Sequence, residues 1–234
     1  MKIKTKTFSI FLKKVKMSAG QEIQECIFNF EKTGLRISAN SVTKQARASG
    51  VLKTSAFKGY EELGTIGVGD MPSFVKVVDR FEEEIGLKVE GNLLTISGTS
   101  KKVDIELLDT QFISTDITEP TLEFDDTFVF PAEKIKEIIT DAKLNKDSVI
   151  SFVTEDKKLT INNTGKYKFS HQFDVPTCKG GVVVKFGAPF VDAFENLTDK
   201  VEFSIKKDYP VKMLEKTDDM VITIIVAPRV DTEE

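Results

Sequence analysis

The chain has 234 residues, of which 40% are hydrophobic, so it is long enough to bury one large core or, as we favour, two cores. Lys and Arg number 33 against 37 Asp and Glu, and a formal net charge of -4 excludes a globally basic protein. A basic inner surface can still coexist with an acidic outer one. Cys26 and Cys178 are too few for a disulfide framework and have no metal-ligand spacing.

The beginning of the chain predicts neither a secretion signal nor a membrane anchor. The apolar run at residues 8–12 is interrupted by Lys13 and Lys14, which leaves it too short for a signal-peptide core. No run reaches the roughly eighteen apolar residues that a membrane span needs. We therefore expect a soluble protein of the cytoplasm or nucleus, with no metal or other cofactor and no membrane partner.

Apolar residues spaced i, i+3, i+4, i+7 predict a helix near the start of each half of the chain. The two stripes consist of Phe8, Phe11, Leu12 and Val15, and of Ile135, Ile138, Ile139 and Ala142. The second stripe follows Pro131, a residue suited to the first turn of a helix. Each predicted helix is followed by an alternating hairpin, at residues 23–39 and 149–161.

Each half then contains a second predicted helix and three further alternating segments. The helices cover residues 74–81 and 190–197, and the segments cover 86–89, 93–97 and 103–108 in the first half and 201–205, 211–214 and 220–226 in the second. The order helix, strands, helix, strands therefore occurs twice. This predicts an α+β protein with two duplicated halves, in which antiparallel sheets are covered by two helices each.

Two further segments resemble a known family. Residues 107–124, between the halves, are polar and acidic and are interrupted by Pro120, a composition that by itself predicts a linker. The last strand runs into Ala227-Pro228-Arg229-Val230-Asp231 and a short acidic tail. Together with the duplication, this connector and tail resemble those of DNA sliding clamps of the proliferating cell nuclear antigen (PCNA) type.

The resemblance implies a DNA clamp fold that assembles into a ring. The halves would be residues 1–110 and 128–234, joined by an interdomain connector at 111–127. Such a clamp encircles duplex DNA without sequence specificity and tethers the replicative DNA polymerase and other DNA-processing enzymes. It performs no catalysis, and an ATP-dependent clamp loader opens it. The family's ring is a trimer of two-repeat chains, closed between edge strands, here residues 103–108 and 166–173.

Basic residues on the helices are the predicted DNA contacts, because lysine and arginine reach phosphates without reading sequence. The predicted set is Lys13, Lys14, Lys16, Lys76, Arg80, Lys134, Lys136 and Lys143. Lys13 and Lys14 are expected to point away from the apolar stripe of the first helix. The second half carries acidic residues where the family tends to have arginine, so the expected DNA contact is dominated by the first half.

The resemblance also implies an apolar pocket that takes the short apolar-aromatic peptides of polymerases and of other replication or repair proteins. Its predicted residues come from an early loop, the connector and the C-terminal segment: Val42, Ile117, Pro120, Leu122, Pro210, Ile225, Ala227 and Pro228. The early loop is more polar than is usual in the family. Partner peptides are therefore expected to differ from the family's common motif.

Alternative functions remain open from the residues alone. The chain could be a structural or assembly protein of a viral particle, with lysines that serve solubility, or a checkpoint-type or heteromeric clamp subunit. Enzymatic readings are disfavoured. His171 lies within an alternating strand segment, and residues 64–69 lack the Gly-Lys-Ser/Thr ending of a phosphate-binding loop.

Overall fold

The structure is a computed structural model, and it describes residues 1–113, 121–145 and 149–229. The chain divides into two compact units. The first consists mainly of residues up to 118 and the second mainly of residues from 119 onward, while residues 18–21 belong to the second and 217–222 to the first. The division into functional halves at 111–127 stays a prediction.

The described residues of both units form α-helices and β-strands. The helices are α1 (Thr5–Lys16), α2 (Met71–Val78), α3 (Ala132–Lys143) and α4 (Ala188–Phe194). The strands before residue 113 are β1 (Lys2–Lys4), β2 (Cys26–Glu31), β3 (Gly34–Asn40), β4 (Ala46–Lys53), β5 (Phe57–Lys58), β6 (Gly64–Val68), β7 (Glu84–Glu90), β8 (Leu93–Ser97) and β9 (Lys102–Glu106). The later strands are β10 (Asp126–Pro131), β11 (Val149–Glu155), β12 (Lys158–Thr164), β13 (Phe169–Asp174), β14 (Val183–Phe186), β15 (Lys200–Ile205), β16 (Val211–Lys216) and β17 (Met220–Val226).

The first unit packs α1 and α2 against antiparallel strands. The strands pair in the orders β5-β1-β7-β8-β9 and β4-β3-β2-β6. The apolar stripe of α1 is at most 1% exposed along its length, which confirms the face that the spacing predicts. Phe74 of α2 packs edge-to-face on Phe8 of α1, with ring centroids 6.3 Å apart, and on Phe28 of β2 at 5.4 Å. The two helices and the sheet thus share one core.

Gly50 lets α1 lie directly on β4. A Cβ atom at this position would come within 2.6 Å of a methyl group of Val15 and 2.7 Å of the Phe11 ring. Since side-chain carbons in proteins do not approach that closely, any larger residue would push the helix away from the strand. The glycine in the middle of β4 therefore sets the depth at which α1 is seated.

The second unit has a core that is rich in phenylalanine. Its strands pair in the orders β13-β12-β11-β14 and β10-β15-β16. Phe203 of β15 stacks on Phe128 of β10, with centroids 5.7 Å apart, and on Phe194 of α4 at 5.8 Å. Phe190 packs edge-to-face on Phe152 of β11 at 5.4 Å. These rings attach α4 to both groups of strands.

The two units repeat the same plan, as the periodicity predicts. Helices α1 and α3 each contain twelve residues, and the predicted stripe of α3 is buried like that of α1. Each unit adds a shorter second helix before its last strands. The predicted α+β class with duplicated halves is therefore confirmed.

Some elements differ from the prediction. Pro131 is the last residue of β10 and precedes the first turn of α3, so the helix begins one residue later than predicted. Four strands within the first unit, β1, β4, β5 and β6, and one within the second, β14, were not expected. β4 reads Ala-Arg-Ala-Ser-Gly-Val-Leu-Lys, and its small residues have low intrinsic strand preference. Packing against α1, rather than propensity, accounts for this strand.

A buried carboxylate closes one loop of the second unit. Asp126, 2% exposed at the start of β10, accepts hydrogen bonds from the Thr154 hydroxyl at 2.8 Å and from the Cys178 thiol at 3.0 Å. The backbone amides of Lys179 and Gly180 donate to it as well. Burial alone would raise the pKa of Asp126, but these donors outweigh burial and hold its pKa below the usual value. The ionised form is thus the one that the fold stabilises.

Replacing Asp126 with Asn is expected to destabilise the protein by about 2 kcal/mol near neutral pH, because an amide cannot accept from all four donors. A carboxyl with a lowered folded-state pKa contributes stability above its unfolded-state pKa and loses it as the pH falls through the folded-state value. The difference between wild type and variant should therefore shrink in acid. Chemical denaturation at several pH values measures it, with the exposed neighbour Asp125→Asn as control. Equal stability of wild type and Asp126→Asn at neutral pH would contradict this role.

Candidate nucleic-acid interface and partner surfaces

The basic residues at the end of α1 are less accessible to a ligand than the sequence predicts. Lys13 is half-exposed and forms an ion pair with Asp79, 2.9 Å between Nζ and Oδ2. Lys16 pairs with Glu22. Lys14 is only 2% exposed, so the expectation that it points away from the core is wrong. It lies three positions after Phe11, about 60° away around the helix, and this flank is covered.

Helix α2 presents two exposed cations beside α1. Lys76 lies in the last turn of the helix, and Arg80 follows its end. The helix begins at Asp70, whose carboxylate accepts from the Ser73 amide at 2.8 Å. That hydrogen bond lowers the pKa of Asp70 and keeps the capping group ionised. The cap fixes where α2 starts and thereby which residues its exposed face presents.

The lysines of α3 are balanced by acids. Lys134 lies 3.7 Å from Glu137 on the same helix, and Lys143 lies 3.0 Å from Glu195 at the end of α4. Lys136 is half-buried. Hydrogen bonds from Ser18 and Lys143 lower the pKa of Glu195, so this carboxylate is charged in the folded protein. Acidic residues predicted in this unit therefore form ion pairs with its lysines.

Two edge strands carry apolar residues that are only half-buried. Within the described residues, β9 ends the order β5-β1-β7-β8-β9, and β13 ends β13-β12-β11-β14. Neither contains a buried residue: each alternates exposed and half-buried positions, such as Ile105 on β9 and Phe173 on β13. Half-buried apolar side chains beside unpaired backbone groups favour pairing with another strand. The two strands overlap the predicted edges at 103–108 and 166–173.

A cavity of about 270 Å³ opens beside the early loop of the first unit. Its lining includes Val42, which is 72% exposed, and Ile113, which is 4% exposed, together with polar residues of the loop such as Ser41 and Lys44. Val42 was predicted to line a partner pocket. Ile113 reaches the cavity through the fold, and no local sequence pattern assigns it to a partner pocket.

The other predicted pocket residues are placed as follows. Leu122, Pro210, Ile225 and Pro228 are half-buried and Ala227 is exposed, all within the second unit. Ile117 and Pro120 lie outside the described residues. Their joint assignment to a peptide pocket stays a prediction.

His171 is hydrogen-bonded to an acid of the second unit. It lies on β13 with Nε2 2.9 Å from an Asp141 oxygen on α3, and the pair links a strand to a helix. Among the described residues no group of three or more His, Cys, Asp or Glu side chains could hold a metal ion. In the same part of the chain, no helix is both long and apolar enough to cross a membrane.

Comparison with known proteins points in one direction. No protein-family model matches the chain. It is 27% identical to a DNA polymerase sliding clamp of Nanoarchaeum equitans, over 94% of this chain and 96% of that protein. It is 25% identical to a DNA polymerase sliding clamp of Thermococcus sibiricus, over 92% of each.

Solved structures of PCNA have the same fold. The A. fulgidus PCNA, solved with the C-terminal region of FEN-1 bound, superposes with a TM-score of 0.87 at 19% identity and covers 99% of this chain and 98% of that one. The PCNA of Entamoeba histolytica superposes with a TM-score of 0.83 at 18% identity, covering 98% of each chain. The chain therefore has the PCNA clamp fold, and the resemblance to DNA sliding clamps that its sequence suggests is confirmed along nearly its whole length.

Proposed function

We propose that this protein is a DNA sliding clamp that encircles duplex DNA and tethers the replicative polymerase and other DNA-processing enzymes. The observation that carries the proposal is the similarity to DNA polymerase sliding clamps over 94% of the chain. The protein works without catalysis: it holds a partner enzyme near the DNA, and an ATP-dependent loader supplies the energy to open it. It acts where replication takes place, in the cytoplasm or nucleus of its cell.

The proposed DNA contact consists of exposed basic side chains. They would contact phosphates while the protein slides along the duplex. Lys76 and Arg80 at the end of α2 are exposed, and Asp79 between them contacts Lys13 of α1. Contacts of this kind contribute affinity without sequence preference, as a sliding protein requires. The further proposed contacts are Lys13, Lys16, Lys134, Lys136 and Lys143. Within the described residues, all of these except Lys136 form ion pairs with acids. Lys14 is left out of the proposed contacts because it is buried.

Changing Lys76 and Arg80 together to Ala should weaken retention on DNA and reduce the salt dependence of binding, by about one unit of slope per lost phosphate contact. The melting temperature should stay unchanged because both side chains are exposed. Fluorescence anisotropy with a labelled duplex across a salt series measures the effect. Lys32→Ala, in the exposed turn after β2, is the control. Identical binding curves for the double variant and wild type would remove α2 from the DNA path.

Closure of the ring is proposed to pair β9 of one copy with β13 of the next. The two edges differ, so the contact is head-to-tail, and a closed ring forms if the rotation fits, as in a trimer. The half-buried apolar residues on both strands would complete their burial in this contact. Unpaired backbone groups of both edges would gain hydrogen bonds at the same time.

Replacing Ile105 with Asp should convert the ring into monomers, because a carboxylate would be buried in the strand contact. Sedimentation equilibrium or native mass spectrometry measures the mass. Val183→Asp is a matched control: this apolar residue is 45% exposed on β14, the other edge of the β13-β12-β11-β14 group. A wild-type assembly that survives Ile105→Asp and dissociates on Val183→Asp would place the contact at the opposite edge.

The cavity beside Val42 is proposed to receive part of a partner peptide. The A. fulgidus PCNA was solved with the C-terminal region of FEN-1, and we propose that this chain binds short terminal peptides of its partner enzymes. An apolar side chain would be inserted between Val42 and Ile113, while the surrounding polar loop residues offer hydrogen bonds. Leu122, Pro210, Ile225, Ala227 and Pro228, with Ile117 and Pro120, are the further residues that we propose for partner binding.

Val42→Asp should lower the affinity for a partner peptide by about tenfold or more, as loss of an apolar contact at the centre of a small interface does. The fold should be unaffected because Val42 is 72% exposed. Titration of a labelled C-terminal peptide from the cognate polymerase measures the change. Leu144→Asp, at a residue 61% exposed on the end of α3, is the control. Equal peptide affinity for both variants and wild type would place the recruiting surface elsewhere.

A further inference from the structure

We infer that Asp79 and Glu195 are charge attenuators that weaken the grip of this protein on DNA. Each carboxylate holds a lysine of the neighbouring helix in an ion pair. Phosphate must displace the carboxylate before it can use that lysine. This inference rests on the proposed DNA contact and adds to it the residues that limit its strength.

The same arrangement is built once in each unit. Asp79 is the residue that ends α2, and its Oδ2 lies 2.9 Å from Nζ of Lys13 in the last turn of α1. Its other oxygen accepts a hydrogen bond from the Ser9 hydroxyl on α1. Glu195 is the residue that ends α4, and its Oε1 lies 3.0 Å from Nζ of Lys143 in the last turn of α3.

Both acids lie at the C-terminal end of a helix, a position that disfavours negative charge. The C-terminal end of a helix carries partial negative charge, so a carboxylate there is repelled. An ion pair between half-exposed side chains, such as Lys13 with Asp79 or Lys143 with Glu195, contributes little to stability. Each acid also accepts a hydrogen bond from a serine, Ser9 for Asp79 and Ser18 for Glu195. An amide oxygen could accept the same bond, so the ion pair with the lysine is the contact that requires a negative charge. The same ion pair at the end of both second helices indicates a shared role.

That role follows from the electrostatics of phosphate binding. A free lysine that contacts a phosphate releases a condensed counterion and gains affinity. A lysine held by a carboxylate has a neighbouring charge that cancels its own, and the freed carboxylate would repel the phosphate. The lysine is positioned near the DNA, yet its contribution is reduced. A clamp that must move along DNA benefits from contacts that are individually weak.

The test removes the two charges without changing the shape of the side chains. Asp79→Asn and Glu195→Gln, singly and together, are compared with wild type for binding to a labelled linear duplex across a salt series. Each variant should bind roughly three- to tenfold more tightly at low salt, with a slope of log affinity against log salt steeper by about 0.9 for each lysine released. The amide oxygen introduced by Asp79→Asn would still accept from the Ser9 hydroxyl, and melting temperatures should change little.

The matched control is Glu90→Gln, which makes the same change in net charge at an exposed carboxylate paired with Lys88 on β7. It should leave the salt slope as in wild type. In a Lys13→Ala background, Asp79→Asn should lose most of its gain, because the carboxylate acts through that lysine. A gain equal to that of Glu90→Gln, or one that persists without Lys13, would overturn the inference for Asp79 while the clamp function stands. Absence of salt-dependent duplex binding by wild type would instead overturn the proposed DNA contact.

Discussion

The seating of an amphipathic helix pair on antiparallel sheets is the constraint on which the rest of each unit depends. In the first unit the apolar stripe of α1 lies on β4 at Gly50, closely enough that one added carbon would collide with Val15 and Phe11. Because one face of the helix is held so tightly, the direction of every other side chain on it is fixed. Burial of apolar residues thus decides which charges are presented to solvent and which are covered.

The charge pattern that results is neither simply basic nor simply acidic. The chain as a whole carries a formal charge of -4, and lysines on both long helices are paired with carboxylates from neighbouring elements. We propose that such a surface attracts a polyanion weakly and locally. For a protein proposed to slide, weak and sequence-independent contact is an advantage, since retention comes from enclosing the DNA rather than from affinity.

Periodicity predicted the long helices, their buried faces and the duplicated order of elements, because those features follow from local spacing. The burial of Lys14 was not predictable in the same way: it lies on the flank of the stripe, and whether a flank is covered depends on packing. The strand β4 was missed because its small residues suit close helix contact rather than strand propensity. The contacts of Asp79 could not be predicted because its partners, Ser9 and Lys13, lie about seventy residues earlier in the chain. The cavity at Val42 and Ile113 likewise joins segments far apart in sequence.

We propose that this protein holds DNA by enclosing it in a closed ring, and retention on circular duplex DNA tests this most directly. Protein loaded by its clamp loader onto a nicked circle should remain bound through gel filtration at a salt concentration that abolishes binding to a linear fragment. Cutting the circle once with a restriction enzyme should then release it. Protein that leaves the intact circle as fast as the cut one, or that stays bound after linearisation with unblocked ends, would contradict the account.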